Sequence, residues 1–100
     1  MKNIILLCAA GMSTSLLVQK IRDAAEKRNY ECTVNAYAIA EAESLKDQAD
    51  IMLLGPQVRF QVKNVQAACP DVPVHIIDPA AYGQMNGEKV LDMAISVMEG

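Results

Sequence analysis

The chain has 100 residues, enough for one domain with a real core and too few for two. Its composition, 52% apolar and 21% charged, is that of a globular protein, and no apolar run approaches the roughly 20 residues that span a bilayer. A net charge of −3 without a basic cluster speaks against nucleic acid as a partner. Three scattered cysteines, no C-x-x-C pair and a single histidine point to neither a metal site nor a disulfide scaffold.

In chain order the pattern alternates strand and helix four times. "NIILLC" (3–8) is the short continuous apolar run of a central parallel strand. The start "MKNIILLC" has the outline of a weak signal peptide. It runs directly into the amphipathic "CAAGMSTSLLVQKIRDAAEK", so a cytosolic location is expected. From Ser13 to about Asn29, Leu17, Ile21 and Ala24 recur at helical spacing. "ECTVNAYA" then alternates, with Cys32, Val34, Ala36 and Ala38 on one face, as in a half-exposed edge strand.

"AEAESLKDQ" reads as a short acidic helix and "DIMLLG" as a second buried strand stopped by Gly55-Pro56. A third helix carries Val58, Val62, Val65 and Cys69 on its stripe and ends at Pro70. "VPVHIID" is the fourth strand, and "PAAYGQMNG" a turn region with room for a helical turn. Asn86 can cap a last helix that buries Leu91, Ala94, Ile95 and Met98. The expected fold is α/β: a single-domain three-layer sandwich over residues 1–100. Its four-stranded parallel sheet has order 2-1-3-4, with helices on both faces. In such a sheet ligands bind beyond the carboxyl ends of the strands, where the winding reverses. Two loops meet there, Cys8 to Thr14 and Gly55 to Val58.

The first loop is nearly bare of side chains. Ala9, Ala10 and Gly11 leave backbone N–H groups able to form an anion nest, and Ser13, Thr14 and Ser15 bring hydroxyl donors to the start of the helix. The first acidic residue of the chain is Asp23, so the positive end of the helix dipole meets no side-chain anion. Hydroxyl residues here also allow ordinary capping, but no Glu or Gln follows at capping-box spacing. The same field acts on Cys8. A thiol with pKa near 8.5 is only ~3% thiolate at pH 7, and a pKa of about 6 makes it roughly 90% thiolate. A strand-ending cysteine is ordinarily a small core residue; ahead of "AAGMSTS" at a strand–helix junction, Cys8 reads instead as a nucleophile beside an anion site. Cys32 and Cys69 fall on core faces.

The string "CAAGMSTSLLVQKI", followed by "LLGPQV" and "HIIDPAAYG", resembles the IIB component of the lactose/cellobiose (diacetylchitobiose) class of the bacterial phosphoenolpyruvate-dependent sugar phosphotransferase system. The likeness covers essentially the whole chain, in order. It implies a transferase in sugar uptake, a phosphocarrier that takes a phosphoryl group from a phosphohistidine on a IIA protein. The group is held as a cysteinyl phosphate and passed to a β-linked disaccharide or β-glucoside on the membrane permease IIC. By that resemblance Cys8 is the phosphocysteine nucleophile, and Ala9, Ala10, Gly11, Met12, Ser13, Thr14 and Ser15 bind the phosphate. Ala9 stands where some members have serine. No cofactor, metal or nucleic acid is implied. The expected location is cytoplasmic, at the inner face of the membrane through IIC, and with no self-pairing surface marked the expected state is a monomer.

The loop is also similar to that of the low-molecular-weight tyrosine phosphatases, in which cysteine, five residues and arginine precede serine or threonine. Here the arginine position is Thr14, followed by Ser15. Arginine stabilises the equatorial oxygens in phosphoryl transfer, so its absence favours a relay whose thiophosphate must survive over a hydrolase. The alternatives are that cysteine hydrolase and a non-catalytic flavodoxin-like binding module; the chain's few aromatics speak against flavin stacking. Gly55, Pro56 and Gln57 form a second loop, in which Gln57 is a donor to phosphate or to a partner, or the loop is a plain turn. Asp78 reads as the cap of "PAAY" rather than as an acid, and Tyr82 follows on the same sheet edge. His75, mid-strand, reads as a structural histidine. On an α-helix Phe60 lies about 200° from Val58, which predicts exposure. With Met12 it makes an apolar rim for docking IIA and IIC, or else it is covered by the last helix. Arg59 and Lys63 beside it would face an acidic partner or merely solvate the surface.

Overall fold

The computed structural model describes residues 1–9 and 15–99. Four parallel strands, β1 (Lys2–Cys8), β2 (Cys32–Ala38), β3 (Ile51–Leu54) and β4 (Val74–Ile76), lie in the order β2-β1-β3-β4. The register runs Lys2 opposite Cys32 through Cys8 opposite Ala38, Ile4 opposite Ile51, and Met52 opposite Val74. The two apolar runs take the centre because their side chains are buried on both faces, Ile4 to Leu7 on β1 and Ile51 to Leu54 on β3.

Strand alternation divides these side chains between two cores. Ile4, Leu6, Ile51 and Leu53 pack with Leu17, Ile21 and Ala24 of α1 (Ser15–Lys27), Ala81 of α4 (Pro79–Gly83), and Val90, Leu91 and Ala94 of α5 (Gly87–Glu99). Ile5, Leu7, Met52 and Leu54 pack on the other face with Ala42 and Leu45 of α2 (Ala42–Leu45), with Val58, and with Val65 of α3 (Val62–Ala68). Each fully buried Leu or Ile is worth about 1.5–3 kcal/mol over leaving it in water. The expected three-layer α/β sandwich and its order 2-1-3-4 are present.

The differences are local. The third helix is split: Pro56–Gln61 winds as a 3-10 segment, Val58 leaves helical geometry at φ −115° and ψ 19°, and the α-helix begins only at Val62. The break rotates Val62 partly out of the core, while Val58, Val65 and Cys69 stay buried. The acidic helix likewise shortens to a 3-10 turn, Ile39–Glu41, followed by the single turn of α2. Of "VPVHIID" only three residues pair as strand.

Two helix ends close in the same way. At the end of α1, Asn29 has φ 55°, the Tyr30 N–H reaches the Ala25 carbonyl and the Asn29 N–H that of Glu26. After α4, Met85 has φ 52°, with Asn86 N–H on Ala81 and Met85 N–H on Tyr82. These are Schellman closures, in which a left-handed residue returns the last carbonyls to backbone donors. Asn86 then caps α5, its Oδ1 accepting from Lys89 N at 3.0 Å, as its position in the sequence predicts.

Candidate functional site

Because all four strands run parallel, the segments that follow them leave from one edge of the sheet. Cys8 ends β1 at that edge and is only 1% exposed. Alternation puts it on the Ile4 and Leu6 side, where α1 packs. The expected phosphate cradle is described at its two ends, Ala9 and Ser15, both exposed; Ala10, Gly11, Met12, Ser13 and Thr14 lie outside the described residues. Ser15 opens α1, whose first turn carries no acidic residue and whose last carries Lys27. The helix therefore presents its positive end toward the segment that follows Cys8, without a side-chain anion in that turn.

The second loop is tied to the first through the backbone. Gly55 N donates to the Leu7 carbonyl, one residue before Cys8, at 2.9 Å. Pro56 then fixes the first position of the 3-10 segment, and Val58 N closes its turn on the Gly55 carbonyl at 3.0 Å. Gln57 projects into solvent at this edge, and its Nε2 donates to the Tyr82 hydroxyl at 3.2 Å. Tyr82 is placed by α4, which Asp78 caps as expected: Asp78 Oδ2 accepts from Ala81 N at 3.1 Å and lies 3.7 Å from Lys89 Nζ. Three of the sequence candidates thus meet, Gly55, Gln57 and Tyr82, and a fourth, Asp78, caps the helix that carries Tyr82.

Phe60 is 76% exposed, as its spacing from Val58 predicts, although it sits on the 3-10 segment rather than on an α-helix. Arg59 and Lys63 are exposed, and Arg59 Nη1 donates to the Pro56 carbonyl at 3.0 Å. Leu16, in the first turn of α1, is 55% exposed beside the cysteine loop and escaped the sequence reading. Its signal was present: a leucine one step off the Leu17, Ile21 and Ala24 stripe faces away from the core. His75 departs from the structural reading, since β4 is an edge strand and its side chain is exposed. Cys69 is buried with its Sγ 3.6 Å from the Ala42 carbonyl, and burial pushes its thiol up. Cys32 is half-buried at the β2 edge, and desolvation raises it likewise. In both, burial disfavours the thiolate. Among the described residues no helix is long and apolar enough to cross a membrane.

Residues 3–93 match the family described as "PTS system, Lactose/Cellobiose specific IIB subunit". Over 100 residues the chain is 37% identical to the oligo-beta-mannoside-specific EIIB component of Bacillus subtilis, covering 98% of this chain and 97% of that one. Over 104 residues it is 39% identical to the cellobiose-specific EIIB component of Lactococcus lactis subsp. lactis, covering 97% and 96%. The solution structure of a cellobiose-specific phosphotransferase IIB component from Borrelia burgdorferi superposes with a TM-score of 0.82 at 43% identity, covering 98% of this chain and 92% of that one.

Proposed function

The chain belongs to the lactose/cellobiose-specific IIB family of the phosphotransferase system, and from that premise we propose that it is a phosphocarrier whose acceptor is Cys8. The residues act as one IIB domain in the cytoplasm, between a phosphorylated IIA protein and a membrane IIC permease holding a β-linked disaccharide or β-glucoside. The observation that carries the reading is the placement of Cys8. It is buried at the carboxyl end of central strand β1, ahead of a helix whose first turn holds no acid.

The chemistry runs in two displacements. Cys8 thiolate attacks the phosphorus of the phosphoimidazole; the S–P bond forms, the P–N bond breaks, and its electron pair stays on the imidazole nitrogen. A sugar hydroxyl oxygen then attacks the same phosphorus. The S–P bond breaks, the thiolate is restored, and the hydroxyl proton passes to a base at the sugar site. Each step spreads negative charge over three equatorial oxygens. Backbone N–H groups of residues 9–15 and the amino end of α1 answer that charge without adding an arginine. Exposed Phe60 offers the apolar surface on which the two partners dock in turn, and Met12 is assigned to the same rim from its place in the sequence alone.

The test is intact-mass spectrometry after incubation with phosphoenolpyruvate, the upstream carriers and a IIA protein, kept near neutral pH. Wild type should gain one phosphoryl group and Cys8→Ser none. No gain on wild type from a donor shown to be competent would overturn the relay, and release of phosphate from an aryl phosphate would then favour the hydrolase.

A further inference from the structure

Gly55 is buried, yet its backbone, at φ −62° and ψ 150°, is extended and open to any residue. No turn requirement accounts for the glycine. A Cβ placed there would stand 3.7 Å from the Leu7 carbonyl oxygen and 3.7 Å from Tyr82 Cε2, both ordinary contacts. It would stand only 2.8 Å from Gln57 Oε1, which is not. The space left by the missing side chain is therefore occupied by one group, the amide of Gln57. The other end of that amide is held by Tyr82, whose hydroxyl accepts from Nε2. A solvent-exposed glutamine would otherwise lose much rotamer freedom on engaging a ligand. This one is held beforehand at its nitrogen by Tyr82, while its oxygen lies in the space that a Cβ on Gly55 would take.

We propose that Gly55 and Tyr82 are positioning residues that hold Gln57 as a preset donor to the phosphoryl oxygens carried on Cys8. The proposal rests on the phosphocarrier reading above. A primary amide has two N–H donors; one serves Tyr82 and the second serves the phosphoryl group. The Gly55 N–H on the Leu7 carbonyl ties the loop that carries Gln57 to the end of β1. Gln57 is neutral, so it strengthens phosphoryl binding without the full charge that an arginine would bring to a competing attack by water.

The test compares Gln57→Ala, Tyr82→Phe, Gly55→Ala and the double variants Q57A/Y82F and Q57A/G55A. It measures single-turnover phosphoryl transfer from IIA to Cys8 across donor concentrations, with thermal unfolding alongside. Each single variant should slow the maximal rate about 10-fold, the loss of one hydrogen bond to a charged group, with KM for IIA unchanged. Neither double should be slower than Q57A alone, because the changes remove the same interaction. Gly55→Ala is decisive, since it deletes no polar group and forces only the movable end of the Gln57 side chain to shift. It also carries the test if Tyr82→Phe proves unstable. Wild-type rates in G55A or in Q57A, losses that multiply in the doubles, or a change confined to KM would each overturn the proposal. Failure of the phosphocarrier reading shows separately, as a wild-type protein that takes no phosphoryl group from a competent donor.

Discussion

Gly55 and Gly87 make opposite uses of the same missing side chain. Gly87 opens α5 where that helix crosses α1; a Cβ there would lie 2.4 Å from both the carbonyl carbon and the carbonyl oxygen of Lys20 and 2.7 Å from Ile21 N. What it admits is backbone, which cannot move without parting two helices. What Gly55 admits is the tip of a flexible side chain. One glycine therefore admits a neighbouring helix, and the other, on the proposal above, serves the arrangement of the site. A short contact is informative only once the group on its far side is named.

The largest effect that would sharpen this contrast is expected from Gly87→Ala. Overpacking against a helix backbone costs about 2–3 kcal/mol, which lowers Tm by roughly 10–20 °C in a chain of this size. The folded fraction should still accept phosphoryl groups at the wild-type rate; a transfer defect at a temperature where G87A is folded would break the separation. Asp78→Ala tests the bridge between the two regions. Loss of the cap should cost about 1 kcal/mol, and because α4 carries Tyr82, transfer should slow as well, whereas Asp78→Asn keeps the cap and should restore both. Denaturant titration paired with the single-turnover assay reads each.

Smaller effects belong to the surface of the assembly region. Tyr30 is pushed up to about 12 by burial and by the hydrogen bond its hydroxyl donates to Glu99 at 2.8 Å. A folded-state value above the unfolded one, about 10, gives stability that is fully present below pH 10 and is lost as pH rises toward 12. Tyr30→Phe should remove that part of the alkaline loss, seen as a wild-type-minus-variant stability difference that shrinks across this window. The smallest change is expected from Arg28→Ala. Its ion pair with Asp92, 2.6 Å long but on exposed side chains, should contribute about 0.5 kcal/mol or less, fading in high salt.

What could be read from the sequence follows the range of the forces involved. The continuous apolar runs of β1 and β3 and the alternation of β2 betray their places in the sheet because burial on one or two faces is written residue by residue. Asp78 and Asn86 were legible as caps because a cap acts over three residues. The break at Val58 was not, since an apolar stripe at helical spacing looks the same whether the chain winds as one α-helix or as a 3-10 segment followed by one. Nor was the reason for Gly55, whose meaning lies in Gln57 and Tyr82 together, the latter brought from another strand's end. His75 was placed correctly within β4, but its exposure depends on how little covers a three-residue edge strand. The placement of Cys8, buried at the end of a central strand and shortly before α1, was the most legible of all because strand and helix are near neighbours in the sequence there.

The all-parallel sheet also sets the order in which the molecule can be made. None of its ladders is a hairpin: Lys2 waits for Cys32, Ile4 for Ile51, and Met52 for Val74. During synthesis the strand that ends in Cys8 leaves the ribosome before the other three strands of the sheet. It stays half-paired until β3, from the middle of the chain, arrives on its other side. Every ladder here closes a long loop before it is rewarded, which slows folding relative to a helical bundle of equal length. The segment carrying Tyr82 follows the last strand, so the surroundings of Cys8 are completed only when most of the chain has emerged.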